Sequence, residues 1–237
     1  MYRNIIFDLY GTLIDLRTDE EKPAFWETLS LFFSYNGAPY ESEELKEQYC
    51  CMIAQRLAEN KQTKYPDTKI ILALQQLYAQ KGVSASDELL SHTVRLFRAA
   101  STEYLRLYPG VKELLQALRA EGKKLYILSN GQREFSVPEL QYLGIFESFQ
   151  TLYSSADYGV CKPDVQFYNC LLKKEMLKAE DCLFVGNDDS TDILGAKAAG
   201  MDSVYLHSNQ SRKVTHTEAT YEIWDGNVSK VLPYALR

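Results

Sequence analysis

The stretch Arg3-Asn4-Ile5-Ile6-Phe7-Asp8-Leu9-Tyr10-Gly11-Thr12-Leu13 decides how the chain is read: a short apolar run stops at an aspartate, and a glycine follows three residues later. An uninterrupted run of β-branched and aromatic residues predicts a strand buried on both faces. The same pattern recurs at Lys124 to Ser129, Asp181 to Gly186 and Asp202 to Leu206. Helical spacing fills the intervals at Val111 to Glu121, Phe135 to Leu143, Asp164 to Met176 and Asp192 to Ala199. This alternation predicts the α/β class, with a doubly wound, Rossmann-like parallel sheet.

From about Leu16 to Tyr104 the pattern changes: no strand-like run occurs, and helical spacing is found near Pro23 to Tyr35, Ser42 to Glu59, Thr68 to Lys81 and Ser86 to Tyr104. The segment reads as an all-helical insertion, residues 17–103, in a discontinuous core made of residues 1–16 and 104–237. Turn chemistry separates its helices at Asn36-Gly37-Ala38-Pro39, Tyr65-Pro66-Asp67 and Lys81-Gly82, and Ser42 with Glu44 and Glu47 resembles an N-terminal cap. The stripe Phe25, Trp26, Leu29, Phe32, Phe33 reads as the buried face of the first inserted helix.

Composition narrows the function classes. The 237 residues are 46% apolar and 24% charged, with a net charge of −6, as expected of an ordinary globular protein. No Lys/Arg cluster supplies the electrostatic footprint of nucleic-acid or anionic-membrane binding. The first apolar run is too short for an export signal or a membrane span, and five cysteines without CxxC spacing fit reduced thiols, so a cytoplasmic protein is expected. The three histidines lack zinc-site spacing, so any metal would be held by oxygen.

In an open parallel sheet the ligand sits beyond the carboxyl ends of the strands. Those ends here read Asp8-Leu9-Tyr10-Gly11-Thr12, Ser129-Asn130-Gly131 and Gly186-Asn187-Asp188-Asp189-Ser190-Thr191-Asp192, and a further loop supplies Cys161-Lys162-Pro163-Asp164. A lone carboxylate, small hydroxyls, a lysine and an acidic cluster together describe a carboxylate nucleophile facing a metal-neutralised anion. Cations and donors are needed there to offset the charge repulsion.

These four segments, in this order, resemble the signature motifs of the haloacid dehalogenase-like (HAD-like) hydrolases, in the branch with a helical cap inserted after the first motif. The motifs are Phe7 to Leu13, Leu128 to Gly131, Lys162 to Asp164 and Val185 to Ala196. The resemblance implies that Asp8 is the nucleophile, that Ser129, with Asn130 beside it, binds the transferred group, and that Lys162 pairs with Asp8. It also implies Mg²⁺ held by Asp8, the Tyr10 backbone carbonyl, Asp188 and Asp192, with Thr12 steadying the loop. The expected substrate is a small phosphorylated metabolite. Asp189 is read instead as a helix N-cap, a role that it or Ser190 would fill.

One position departs from the family's phosphatases, which carry a second aspartate two residues after the nucleophile as acid and base; here that residue is Tyr10. Asn187 likewise stands where an aspartate is common. Asp-x-Tyr-Gly-Thr is the arrangement of the metal-independent 2-haloacid dehalogenases, whose leaving halide needs no proton. Arg17 and Arg56 are the candidates for the arginine that such enzymes use to bind the substrate carboxylate. The acidic fourth motif favours Mg²⁺-dependent phosphoryl hydrolysis. Dehalogenation is the alternative, as is a weakly active, phosphate-binding regulatory module.

Overall fold

The computed structural model describes residues 1–237. Strand β1 (Asn4–Phe7) leads into β2 (Ile14–Thr18), then four helices, α1 (Pro23–Tyr35), α2 (Ser42–Glu59), α3 (Ile70–Gln80) and α4 (Asp87–Ser101), and the returning strand β3 (Thr102–Leu107). Helix α5 (Val111–Ala120), β4 (Lys124–Ser129), α6 (Arg133–Tyr142), β5 (Thr151–Ser154), α7 (Ser155–Tyr158) and α8 (Val165–Lys174) follow. The chain closes with β6 (Cys182–Gly186), α9 (Leu194–Ala198), β7 (Asp202–Leu206), β8 (Tyr221–Ile223) and α10 (Val231–Ala235).

Six strands form a parallel sheet in the order β5-β4-β1-β6-β7-β8. Because side chains alternate along a strand, Ile5, Phe7, Ile127 and Val185 join Leu114, Leu115 and Leu118 of α5 in one apolar cluster. Ile6, Leu128 and Phe184 join Phe167, Tyr168 and Leu171 of α8 in another. Both faces are therefore covered, which is why these strands are apolar throughout rather than alternating. Connections run outward from β1 to β4 and β5, then cross back to β6, so the strand order reverses at β1 and opens a crevice over the ends of β1, β4 and β6.

The inserted helices build a separate cluster around Phe25, Trp26, Leu29 and Phe33, with Phe33 stacked on Tyr78 at 4.2 Å between ring centroids. Phe32 is only half-buried. The insertion is nevertheless not free of strand. Thr102 to Tyr104, expected as helix, begin β3, which pairs antiparallel with β2 from Ile14–Leu107 to Thr18–Thr102. Arg17, Glu103 and Arg106 are exposed along this ribbon while Leu16, Leu105 and Leu107 pack on the core; in β3 the exposed residues are three apart, a spacing that continues the α4 periodicity instead of alternating. Strands β5 and β8 are also additions, with four and three residues, too short to carry a periodicity. Ser42 proves to be the first residue of α2 rather than its cap; Glu41 holds that position without a side-chain bond. No helix is long and apolar enough to cross a membrane.

Phe33→Ala should destabilise the protein by about 3–5 kcal/mol, because removing a fully buried ring packed against Tyr40 and Tyr78 leaves a cavity. Denaturant unfolding followed by far-UV circular dichroism measures this, and a loss below about 1 kcal/mol would contradict the packing described.

Candidate active site

Asp8 leaves β1 with its backbone N–H still bonded to Val185 O at 2.9 Å, so the sheet itself sets its direction. The chain then turns tightly: the Leu13 and Ile14 N–H groups both return to Leu9 O, at 2.9 and 3.0 Å. Gly11 makes this turn with φ +85°, and a Cβ there would lie 2.5 Å from Asn187 Nδ2, so both backbone angle and space require glycine. The turn brings Thr12 back beneath Asp8. Its hydroxyl donates to Asp8 Oδ2 at 2.9 Å and lies 3.2 Å from Asn187 Oδ1.

The other Asp8 oxygen accepts from Lys162 Nζ at 2.6 Å, and the same ammonium donates to Asp192 Oδ1 at 2.6 Å. Lys162 is 3% exposed and Asp192 1%. Burial disfavours the ammonium, but the two carboxylates outweigh it and hold its pKa above the ordinary lysine value. Burial, opposed by Lys162 and reinforced by Asp8, pushes the Asp192 carboxyl upward. Lys162 is fixed through its backbone as well: its N–H donates to Asn130 Oδ1 at 2.7 Å and its carbonyl accepts from Asn130 Nδ2 at 3.1 Å. The Asn130 amide is thus spent on placing the lysine.

After β6 the chain forms a five-residue π-helical turn, Asp189–Ile193. The Asp192 and Ile193 N–H groups both reach Asp188 O, at 2.9 and 3.2 Å, a wide turn that folds Asp192 back under the strand end. There its Oδ2 accepts the Asn187 and Asp188 N–H groups, each at 3.0 Å. The N-cap is Asp188, not Asp189: Asp188 Oδ1 accepts from Ser190 N at 2.8 Å, Ser190 Oγ at 2.7 Å and Thr191 N at 3.0 Å. The turn starts one residue earlier than the expected cap, so Asp188 is the side chain within reach of the first free N–H groups. These bonds all fall on Oδ1 and leave Oδ2 outside them, while Asp189 Oδ1 is buried without a partner.

Asp8, Tyr10, Asn130, Lys162, Asn187, Asp188, Thr191, Asp192 and Gln210 line a crevice of about 210 Å³. Ser129 Oγ, at the end of β4, is buried without any partner in the chain, but Ser129 is not among the residues that line the crevice. Larger grooves of about 560 and 450 Å³ flank α6 and contain none of the motif residues. The crevice sets three carboxylates against one ammonium, an oxygen-rich, charge-deficient set suited to a hard divalent cation. No three His, Cys, Asp or Glu side chains converge as a ready-made metal cage. Mg²⁺ does not need one, because it takes one or two carboxylates and completes its shell with water and phosphate oxygens.

Tyr10 behaves unlike an acid poised over a ligand. Its hydroxyl donates to Glu139 Oε2 at 2.6 Å and lies 3.0 Å from Ser136 Oγ, both on α6. Glu139 Oε1 in turn accepts from Arg98 Nε of α4 at 2.6 Å, and the Arg98 guanidinium lies 5.4 Å from the Tyr10 ring centroid. Burial and the Glu139 charge, opposed by Arg98, raise the phenol's pKa above its ordinary value. The proton is therefore held and already committed. Glu139 and Arg98 were not legible as partners of Tyr10, since nothing in the sequence links residues so far apart; Gln210 was missed for the same reason. Arg17 pairs with Glu103 at 2.8 Å and Arg56 reaches Leu72 O and Gln76 Oε1, so neither lines the crevice.

Residues 2–200 match the haloacid dehalogenase-like hydrolases. The chain is 26% identical over 226 residues to the HAD-hydrolase YfnB of Bacillus subtilis, covering 94% of this chain and 91% of that protein. It is 30% identical over 205 residues to the phosphoglycolate phosphatase of Yersinia pseudotuberculosis, covering 86% and 80% respectively. The crystal structure of a 2-haloacid dehalogenase from Pseudomonas syringae superimposes with a TM-score of 0.67 at 23% identity, over 100% of this chain and 98% of that one, a likeness of fold. The match spans the inserted helices and all four strand-end and loop motifs, and the chain is a hydrolase belonging to the haloacid dehalogenase-like family.

Proposed function

We propose that the protein is a Mg²⁺-dependent phosphatase that hydrolyses a small phosphorylated metabolite through an aspartyl-phosphate on Asp8. The observation that carries this reading is the excess of carboxylate around Lys162 in the crevice. A crevice of about 210 Å³ is below the range of drug-sized ligand sites and suits a phosphoryl-sized group. The phosphatase relatives support the substrate class, and the relative YfnB has been crystallised bound to magnesium. In this reading residues 17–103 form the cap and residues 1–16 and 104–237 the catalytic core. Five free cysteines fit a reducing cytoplasm.

Asp8 is held in place by hydrogen bonds from Lys162 and Thr12, with its direction set by β1. It attacks phosphorus, an O–P bond forms as the ester P–O bond breaks, and the leaving oxygen departs with the electron pair. Lys162 and the Ser129 hydroxyl offset the charge on the transferred group. Mg²⁺, when bound, supplies the remaining counter-charge; Asp8, the Tyr10 carbonyl, Asp188 through its second oxygen and Asp192 would hold it. Water then attacks phosphorus, the Asp8 O–P bond breaks with its electron pair returning to the carboxylate, and the proton of the water leaves with the inorganic phosphate. The phenol of Tyr10 is engaged with Glu139 and donates nothing to the leaving oxygen.

Tyr10 also favours a second reading, 2-haloacid dehalogenation, in which Asp8 displaces halide from carbon. Phosphate esters, acyl phosphates and 2-haloacids, assayed with Mg²⁺ and with chelator, decide between the two. Phosphate release that chelator abolishes and Mg²⁺ restores is expected, with a drop of about 10⁴-fold or more in a folded Asp8→Asn variant. Metal-independent halide release would establish the dehalogenase instead, and no turnover of any of them would leave the regulatory module.

A missing acid also predicts steep dependence on the leaving group. Without the roughly 10²–10⁴-fold that a positioned acid contributes, aryl and acyl phosphates should outrun alkyl phosphates by about that factor. A kcat/KM independent of leaving-group pKa, where chemistry limits the rate, would show that another residue supplies the proton.

A further inference from the structure

Residues 60–70, the α2–α3 connection with the first residue of α3, lie in the inserted helical segment, yet polar groups here are spent on the loops that carry Asn130 and Lys162. Asn60 Nδ2 donates to Gly159 O at 2.6 Å, and Asp67 N–H reaches the same carbonyl at 3.2 Å. The Cys161 N–H donates to Tyr65 O at 2.8 Å, and Pro66 forms an antiparallel bridge with Val160. The Thr63 hydroxyl donates to Asp164 Oδ2, whose other oxygen caps α8 through Gln166 N at 3.0 Å. Lys162 is therefore gripped on both sides, at Cys161 and at Asp164.

The same segment reaches the second motif. The Ser155 hydroxyl donates to Asp67 Oδ2 and accepts the Gly131 N–H at 2.8 Å, placing Asp67 one side chain from the residue after Asn130. Gln132 Nε2 donates to Thr68 O at 3.0 Å and its Oε1 accepts the Ile70 N–H at 3.1 Å. Gly159 adopts φ +68°, and a Cβ there would stand 3.2 Å from Asn60 Nδ2, so the close approach at this junction uses a glycine. Two catalytic loops that meet through Asn130 and Lys162 are thus held from the cap side by one polar segment. Such bonds are made only when the helical segment is seated on the core.

We propose that residues 60–70 are a positioning element for Lys162, with Thr63 and Asp67 as its principal positioning residues, so that the lysine reaches its catalytic position only with the cap docked. This rests on the catalytic reading of Lys162. An ammonium displaced by about 1 Å loses its alignment with Asp8 and the transferred group, a displacement that costs about 10²-fold in rate.

The test is the double variant Thr63→Val/Asp67→Ala, with Thr63→Ser/Asp67→Asn as the conservative control that keeps a hydroxyl donor and an amide acceptor. Hydrogen exchange of the peptide spanning 159–164 reads the grip without any catalysis; exchange there should rise about tenfold or more, with β1 and β6 peptides unchanged. On whichever substrate wild type turns over, kcat should fall about 10²-fold with KM within about threefold. The conservative control should recover both. Unchanged exchange at 159–164 overturns the proposal, as does raised exchange with unaltered kcat. If the wild type turned over no phosphate ester, the phosphatase reading would fail, and hydrogen exchange would still decide whether the cap holds the loop.

Discussion

One buried ammonium, Lys162 Nζ, sits between the carboxylates of Asp8 and Asp192 at 2.6 Å from each. Removing it would leave two carboxylates facing each other away from water, which is the expensive way to break a buried ion pair. The fold supplies the three participants from three places: the end of β1, the loop before α8 and the turn after β6. Strands β1 and β6 are neighbours in the sheet although Asn4 and Cys182, partners in their register, lie 178 positions apart in the chain. Strand order is thus what makes the charge cluster possible. Around it nearly every remaining polar valence is filled: Thr12 on Asp8, two backbone N–H groups on Asp192, and the Asn130 amide on the Lys162 backbone. The Ser129 hydroxyl at the end of β4 and Asp189 Oδ1 in the turn after β6 are buried without partners.

The strands that carry chemistry were legible because both faces are covered, which forces continuous apolar runs, and because each run stops at a polar cluster. Asp8, Ser129 and the acidic stretch after Gly186 follow directly from that pattern. What escaped the reading depends on geometry or on distant partners. Asp188 rather than Asp189 caps the turn because the turn is wide and begins early, a backbone choice that residue preferences do not distinguish. Strand β3 exposes Glu103 and Arg106, three residues apart, and so blends into the helical spacing before it. The docking of residues 60–70 rests on backbone groups and short polar side chains, which read simply as a turn.

Tyr10 joins the local and distant parts of the site. Its backbone belongs to the nucleophile loop, while its hydroxyl is bonded to Glu139, which Arg98 of the inserted helices also holds. The arrangement gives Arg98 and Glu139, both largely buried, a mutual charge partner. It also turns the residue where a phosphatase of this family carries an acid into part of the packing between loop, α6 and α4. In the proposed reading, the chemistry left to the site is that of a fixed nucleophile and a set of counter-charges, which would select substrates by how well the departing group bears its own charge.

The central claim is that Asp8 takes the phosphoryl group. Acid quench of a single turnover, with enzyme in excess over a ³²P-labelled acyl phosphate, followed by proteolysis and peptide mapping, tests it most directly. The account predicts label that appears on the peptide containing Asp8 before free phosphate accumulates, and that is absent from the Asp8→Asn protein. Label passing from substrate to free phosphate without ever residing on Asp8, or residing on another side chain, would contradict it.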